Sequence, residues 1–246
     1  MDNRPIGVFD SGLGGLTAVK ELEKALPAES IIYFGDTGRV PYGSRSREIV
    51  RSYARQDMDF LMSKNVKAVL AACGTVSSTA ADIGAALPVP YFDVVAPTAK
   101  AAAAATKNGK IGVIGTSATI HSDSYRKALL ALDYSLEVYP QACPLFVPLV
   151  ENAFISPQDE VTRLVAERYL SPLREMGVDT LILGCTHYPI ISAIIGSVMG
   201  RGVTLINSGR EAALALACAL REKELLCDGA SPRRASYYVT DAPESF

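Results

Sequence analysis

Tryptophan is absent from this 246-residue chain, histidine occurs only twice, and aromatic residues make up 7% of the whole. Two imidazoles and no Cys-x-x-Cys pair leave few ligands for zinc, so no metal site is expected. Neither charge sign dominates: 24 Lys and Arg face 26 Asp and Glu, a formal net charge of −2. A nucleic-acid or membrane-surface binder needs a basic footprint, so neither partner is expected. No apolar run reaches the ~20 residues that span a bilayer. The opening Met1-Asp2-Asn3-Arg4-Pro5 leads straight into an apolar run, so no secretory leader is expected either. Cysteine is odd in number, five in all, and widely spaced at 73, 143, 185, 218 and 227. That pattern argues against a disulfide framework and for free thiols in a reducing, cytoplasmic setting.

What the chain does have is regular alternation. Short β-rich runs at Ile6–Phe9, Ile31–Phe34, Lys67–Ala72, Lys110–Ile114, Leu136–Tyr139 and Thr180–Leu183 are separated by stretches of helical periodicity. The spacing predicts helices over Leu16–Leu26, Ser46–Met62, Val76–Leu87, Thr98–Thr106, Ala118–Leu132, Gln158–Met176 and Glu211–Glu222. Strands alternating with helices of this length indicate βαβ units and mainly parallel sheets, the α/β class. The halves also resemble each other: Ile6-Gly7-Val8-Phe9-Asp10-Ser11 matches Ile111-Gly112-Val113-Ile114-Gly115-Thr116. Two pseudo-symmetric, three-layer α/β domains are therefore expected, with an active site in the cleft between them. Residues 1–97 with 211–246 would form the first domain and 98–210 the second. The last helix and a strand-like Ala235–Thr240 would return to complete the first domain.

The symmetry extends to chemistry. Val69-Leu70-Ala71-Ala72-Cys73-Gly74-Thr75 and Leu181-Ile182-Leu183-Gly184-Cys185-Thr186-His187 each end an apolar run in a thiol. The carboxyl end of a parallel strand is where open α/β sheets present ligand-binding and reactive groups. One such cysteine could equally be a small buried hydrophobe. Two in equivalent settings, each just before an expected helix, suggest reactive thiols flanking one carbon atom from opposite sides. Cys143, Cys218 and Cys227 lack that setting and read as structural.

Other candidates surround these two. His187 is the natural proton-transfer partner of Cys185. Asp10 opens Asp10-Ser11-Gly12-Leu13-Gly14-Gly15, a glycine-rich turn that lacks both the phosphate-loop ending and the dinucleotide spacing. Asp10 is either a turn cap or, if it faces Cys73, a partner of that thiol. The polar segment Gly35–Ser44 would wall the cleft, with the Tyr42 hydroxyl and the Gly43 N–H as donors. Thr116 and Thr119 would cap the helix that follows them and turn hydroxyls toward the cleft. His121 reads as a surface or capping residue.

Three segments carry a family resemblance: Asp10-Ser11-Gly12-Leu13-Gly14-Gly15-Leu16-Thr17, Gly35-Asp36-Thr37 with Arg39-Val40-Pro41-Tyr42-Gly43, and Leu183-Gly184-Cys185-Thr186-His187-Tyr188-Pro189. Together they resemble glutamate racemase, within the aspartate/glutamate racemase superfamily, and the match runs on to Tyr238–Phe246. The resemblance implies a cofactor-independent isomerase that interconverts L- and D-glutamate and supplies D-glutamate for peptidoglycan. It also implies Cys73 and Cys185 as the acid/base pair, assisted by Asp10, His187 and Glu151. Ser11, Tyr42, Gly43, Gly74, Thr75, Thr116, Thr119 and Thr186, with Asp10 and His187, would hold the substrate. By the same resemblance the only partners would be glutamate and a second copy of the chain in a homodimer. One departure stands out: the family usually reads Cys-Asn-Thr at the first thiol, where this chain has Cys73-Gly74-Thr75 and so no side-chain amide. Aspartate or a related diacid is the alternative substrate. A catalytically silent amino-acid-binding protein and a pyridoxal enzyme are the readings from other classes.

Overall fold

The computed structural model describes residues 1–230 and 232–241; the 242–246 part of the C-terminal match lies outside the described residues. Among the described residues nine strands form two sheets, and every neighbouring pair is parallel. The first sheet contains β1 (Ile6–Asp10), β2 (Ile31–Gly35), β3 (Ala68–Ala71), β4 (Tyr91–Asp93) and β9 (Ala235–Val239), in the order β4-β3-β1-β2-β9. The second contains β5 (Lys110–Gly115), β6 (Glu137–Ala142), β7 (Thr180–Leu183) and β8 (Thr204–Asn207), in the order β6-β5-β7-β8.

Each sheet is covered on both faces. α1 (Leu16–Ala25) and α11 (Ser208–Glu222) pack one side of the first sheet through Ala18, Leu22, Ala213 and Leu216. α2 (Arg47–Ser63) covers the other through Val50, Ala54, Met58 and Leu61, the i, i+4 stripe that the periodicity predicts. Across the second sheet, α9 (Glu160–Glu175) and α10 (Ser192–Met199) lie on one face. On its other face lie α5 (Val95–Ala105) and α7 (Ser124–Leu132). β1 and β3, buried on both faces, are near-continuous apolar runs, as parallel strands require.

The two sheets share a register. Phe9 pairs with Ala71 and Ile114 with Leu183, so each cysteine stands two residues beyond the last pair of its central strands. The chain passes from β1 to β2 on one side and then to β3 on the other. From β5 it passes likewise to β6 and then to β7. Both cysteines therefore sit where the strand order reverses, the crevice that open α/β sheets use for ligands.

Several elements depart from the sequence expectation. The helix expected over Val76–Leu87 is two short ones, α3 (Gly74–Thr79) and α4 (Ala81–Ala85), broken at Ala80. Hydroxyl and β-branched residues dominate α3, and Thr79 bonds back to the Thr75 carbonyl at 2.8 Å, a competitor to helix propagation. The helix expected over Ala118–Leu132 is likewise two, α6 (Ser117–His121) and α7, separated by Asp123 at φ 58°. α5 begins at Val95, whose N–H is held by the Asp93 carboxylate at 2.8 Å, so Pro97 sits in a first helical turn. α11 begins three residues before the expected Glu211, capped by Asn207. β4, β8, α8 (Phe146–Glu151) and α10 carry no sequence expectation at all.

Candidate active site

Cys73 and Cys185 line one cavity of about 380 Å³, within the small end of the range that ligand pockets occupy (about 300–1,000 Å³). Its walls come from both sheets. Ser11, Tyr42, Gly43, Gly74 and Thr75 belong to the first half, while Thr116, Glu151, Thr186 and His187 belong to the second. Asp10 and Thr119, also expected at the substrate, lie outside the lining.

Cys73 caps α3, as the sequence suggests, but Cys185 does not precede an α-helix. A 3-10 turn, Tyr188–Ile191, leads from it into α10. The thiols also differ in their neighbours. Cys73 Sγ lies 3.7 Å from Ser11 Oγ, and burial, reinforced by the Asp10 charge, pushes this thiol up to about 12. Cys185 Sγ lies 3.8 Å from His187 Nδ1, and His187 Nε2 lies 3.2 Å from Glu151 Oε1. Burial alone would hold this imidazole neutral. Its bonds to Cys185 and Glu151, with the fields of Cys185 and Asp10, outweigh that and push it up to about 10. His187 is therefore an imidazolium at neutral pH.

Asp10 is fully buried, and its carboxylate is absorbed by its own turn: Oδ2 accepts from the Gly12 N–H at 3.1 Å and the Gly15 N–H at 3.0 Å. The glycine-rich loop thus cradles an internal anion rather than a ligand. Oδ1 lies 3.5 Å from Thr186 Oγ1, and Thr17 Oγ1 donates to the Thr186 carbonyl at 2.9 Å. Gly14 permits this contact, since a Cβ there would stand 2.4 Å from Thr186 Oγ1 and 2.6 Å from the His187 ring. Asp10 makes no hydrogen bond to Cys73; it reaches that thiol only through its field, and its own carboxyl is raised by burial.

The Tyr42 hydroxyl faces away from the expected role. It donates to Asp36 and lies 3.0 Å from Asp57 Oδ2, so the ring backs the cavity while the O–H serves a buried carboxylate pair. Across the cleft, Thr75 Oγ1 and Thr116 Oγ1 are 3.0 Å apart, and Thr116 Oγ1 donates to Thr119 Oγ1 at 3.0 Å. Thr116 also caps α6, accepting the Thr119 N–H at 3.2 Å. Val40, Pro41 and Ser44 complete the wall from the segment expected there, and Ser117, Pro144, Val147 and Pro148 join it with no individual expectation from the sequence. The Pro148–Asn152 segment around Glu151 was the available signal for the last three. Among the described residues no group of three or more His, Cys, Asp or Glu could hold a metal ion.

Two parallel-sheet α/β units with a cleft lined from both are the fold that glutamate racemase structures share with this chain, and residues 6–216 match the model of the Asp/Glu/Hydantoin racemase family. The chain belongs to that family, and glutamate racemases are the members it resembles. It is 46% identical to the glutamate racemase of Geobacter metallireducens over 99% of this chain and 90% of that protein. Among solved structures, a glutamate racemase isoform from Bacillus anthracis superposes with a TM-score of 0.95 at 41% identity, covering 100% of this chain and 91% of that one. The glutamate racemase of Francisella tularensis, solved with D-glutamate, gives 0.92 at 42% identity, with the same coverage.

Proposed function

We propose that the chain interconverts L- and D-glutamate without a cofactor, by proton transfer between two cysteines on opposite walls of the cleft, and so supplies D-glutamate for peptidoglycan. The observation that carries this reading is that Cys73 and Cys185 end equivalent strands, in equivalent register, and line one cavity. A single base would have to cross the substrate plane to invert the stereocentre; two fixed sulfurs need not.

At neutral pH Cys73 holds its proton. In one direction the Cys185 sulfur takes the α-proton from its face while Cys73 delivers its own to the opposite face. In the other direction the roles exchange. His187, an imidazolium 3.8 Å from Cys185 Sγ, stabilises negative charge on that sulfur while the transferable proton is on Cys73. Glu151 holds the imidazole from behind. The α-carbon is a weak acid, so fixed dipoles around the carboxylate must stabilise the developing charge. The Gly74 and Thr75 amides opening α3, and the Ser11, Thr75, Thr116 and Thr186 hydroxyls, are the groups placed for that task. Asp10 acts as a positioning residue that holds the glycine turn and Thr186.

Cys73→Ala and Cys185→Ala should each lower racemisation by at least about 10³-fold, in the range general acid–base catalysis supplies. Solvent deuterium should enter the α-position of glutamate in the wild type. Substantial racemisation by either variant would overturn the two-base scheme. Faster turnover of L-aspartate than of L-glutamate, followed by circular dichroism, would reassign the substrate.

A further inference from the structure

A second cavity, of about 520 Å³, opens beside the first and has a different character. Arg45, Arg47, His121 and Lys127 line it, and no carboxylate does. Arg45 and Arg47 come from the start of α2 and the turn before it, in the first half; His121 and Lys127 come from α6 and α7, in the second. Glu48 and Asp82 feel the Arg47 charge from outside the lining. Asp82 forms a two-point pair with Arg51 at 2.5 and 2.7 Å, and Asp123 lies 3.8 Å from Arg126. Glu48, next to Arg47 on α2, is not part of the lining. Hydroxyls line the floor, where Ser124 Oγ donates to Ser78 Oγ at 2.9 Å across the two halves.

Such an arrangement sets Arg45 and Arg47 of one half against Lys127 of the other in a molecule whose net charge is −2. An oxyanion between them would take charge-assisted hydrogen bonds from both sides, and a guanidinium offers the planar fork that suits carboxylate or phosphate oxygens. We propose that this cavity is a binding site for a small oxyanion with two negative charges, a phosphate or a dicarboxylate, which clamps the two halves together. The clamp lies on the helices that carry the thiol-cavity wall: Thr79 ends the α3 helix begun by Gly74, and Ala118 follows the wall residue Ser117.

The test is calorimetric titration of the full-length protein with inorganic phosphate and, separately, succinate, at constant ionic strength. Saturable binding is expected for at least one of them. Affinity should fall at least about tenfold in the Arg47→Ala/Lys127→Ala double variant and change by less than about threefold in Arg47→Lys/Lys127→Arg. The ratio of phosphate to succinate affinity identifies which oxyanion class the site prefers. Bound anion should also slow amide exchange in both the 74–79 and the 117–124 segments. The proposal is overturned if neither probe saturates by ~50 mM, or if the alanine pair binds as well as the wild type. It also fails if protection is confined to one half. None of these readouts depends on racemase activity.

Discussion

At Gly74 a Cβ would stand 2.2 Å from the carbonyl oxygen of Gly184, so the backbones beside the two thiols touch where most side chains would force them apart. Gly74→Ala should therefore cost about 1–3 kcal/mol in denaturant unfolding, as overpacked sites do, and raise KM for glutamate more than it lowers kcat. His187 supports a second expectation. Its folded pKa, about 10, lies above the ordinary 6.5, so the stability it contributes is fully present below pH ~6.5 and is lost as pH rises through about 10. Glu151→Gln removes one of the raising partners and should shift the imidazole midpoint downward, read by NMR on a chain with only two histidines. The two cysteines, His187 and Glu151 were legible as residues because reactive groups at strand ends or in familiar motifs stand out. The Tyr42 hydroxyl was misplaced because sequence order does not show that Asp57, on the next helix, competes for it.

Between the elements, the turn after β2 is tied to α2 and to the end of β9 by one charged cluster. Arg39 bridges Asp36 at 2.5 Å and Asp57 at 3.0 Å, and Thr240 Oγ1 donates to Asp36 at 2.9 Å. Burial, then the neighbouring Asp36 charge, pushes Asp57 up to about 8. The unfolded chain releases that proton near pH 4, while the folded one keeps it to about pH 8. Stability should thus fall as pH rises through this window, and Asp57→Asn should flatten that part of the profile measured by thermal unfolding. Most strands, though not β4 or β8, were readable from apolar runs, and so were α1, α2 and α9, whereas the breaks inside two expected helices were not. Ala80 and Asp123 interrupt segments whose apolar periodicity continues across them; the Thr79 bond back to the Thr75 carbonyl and the left-handed Asp123 mark the breaks, and apolar spacing reports neither.

Across the whole molecule, the end of the first sheet remote from the thiols is closed by a buried ion pair. Lys67 Nζ meets Glu29 Oε2 at 2.6 Å and also donates to the carbonyls of Asp2 and Leu225, while Glu29 Oε1 accepts the Cys227 N–H. Lys67→Met alone strands a buried carboxylate and should cost about 3–5 kcal/mol; the Lys67→Met/Glu29→Leu pair should recover most of that. Parallel α/β layering was evident from the alternation of runs. The shared cleft of the two cysteines was legible from their repeated strand-end setting; the matching register of the two sheets that brings it about was not, because no linear pattern specifies it. The unlike surroundings of the two sulfurs, a serine hydroxyl beside one and an imidazolium beside the other, carry a kinetic constraint. Enantiomers in an achiral solvent have identical free energies, so this asymmetry cannot tilt the final mixture away from equal parts. If the histidine side makes one direction turn over faster, that enantiomer must show a KM higher in the same ratio, leaving kcat/KM equal for both.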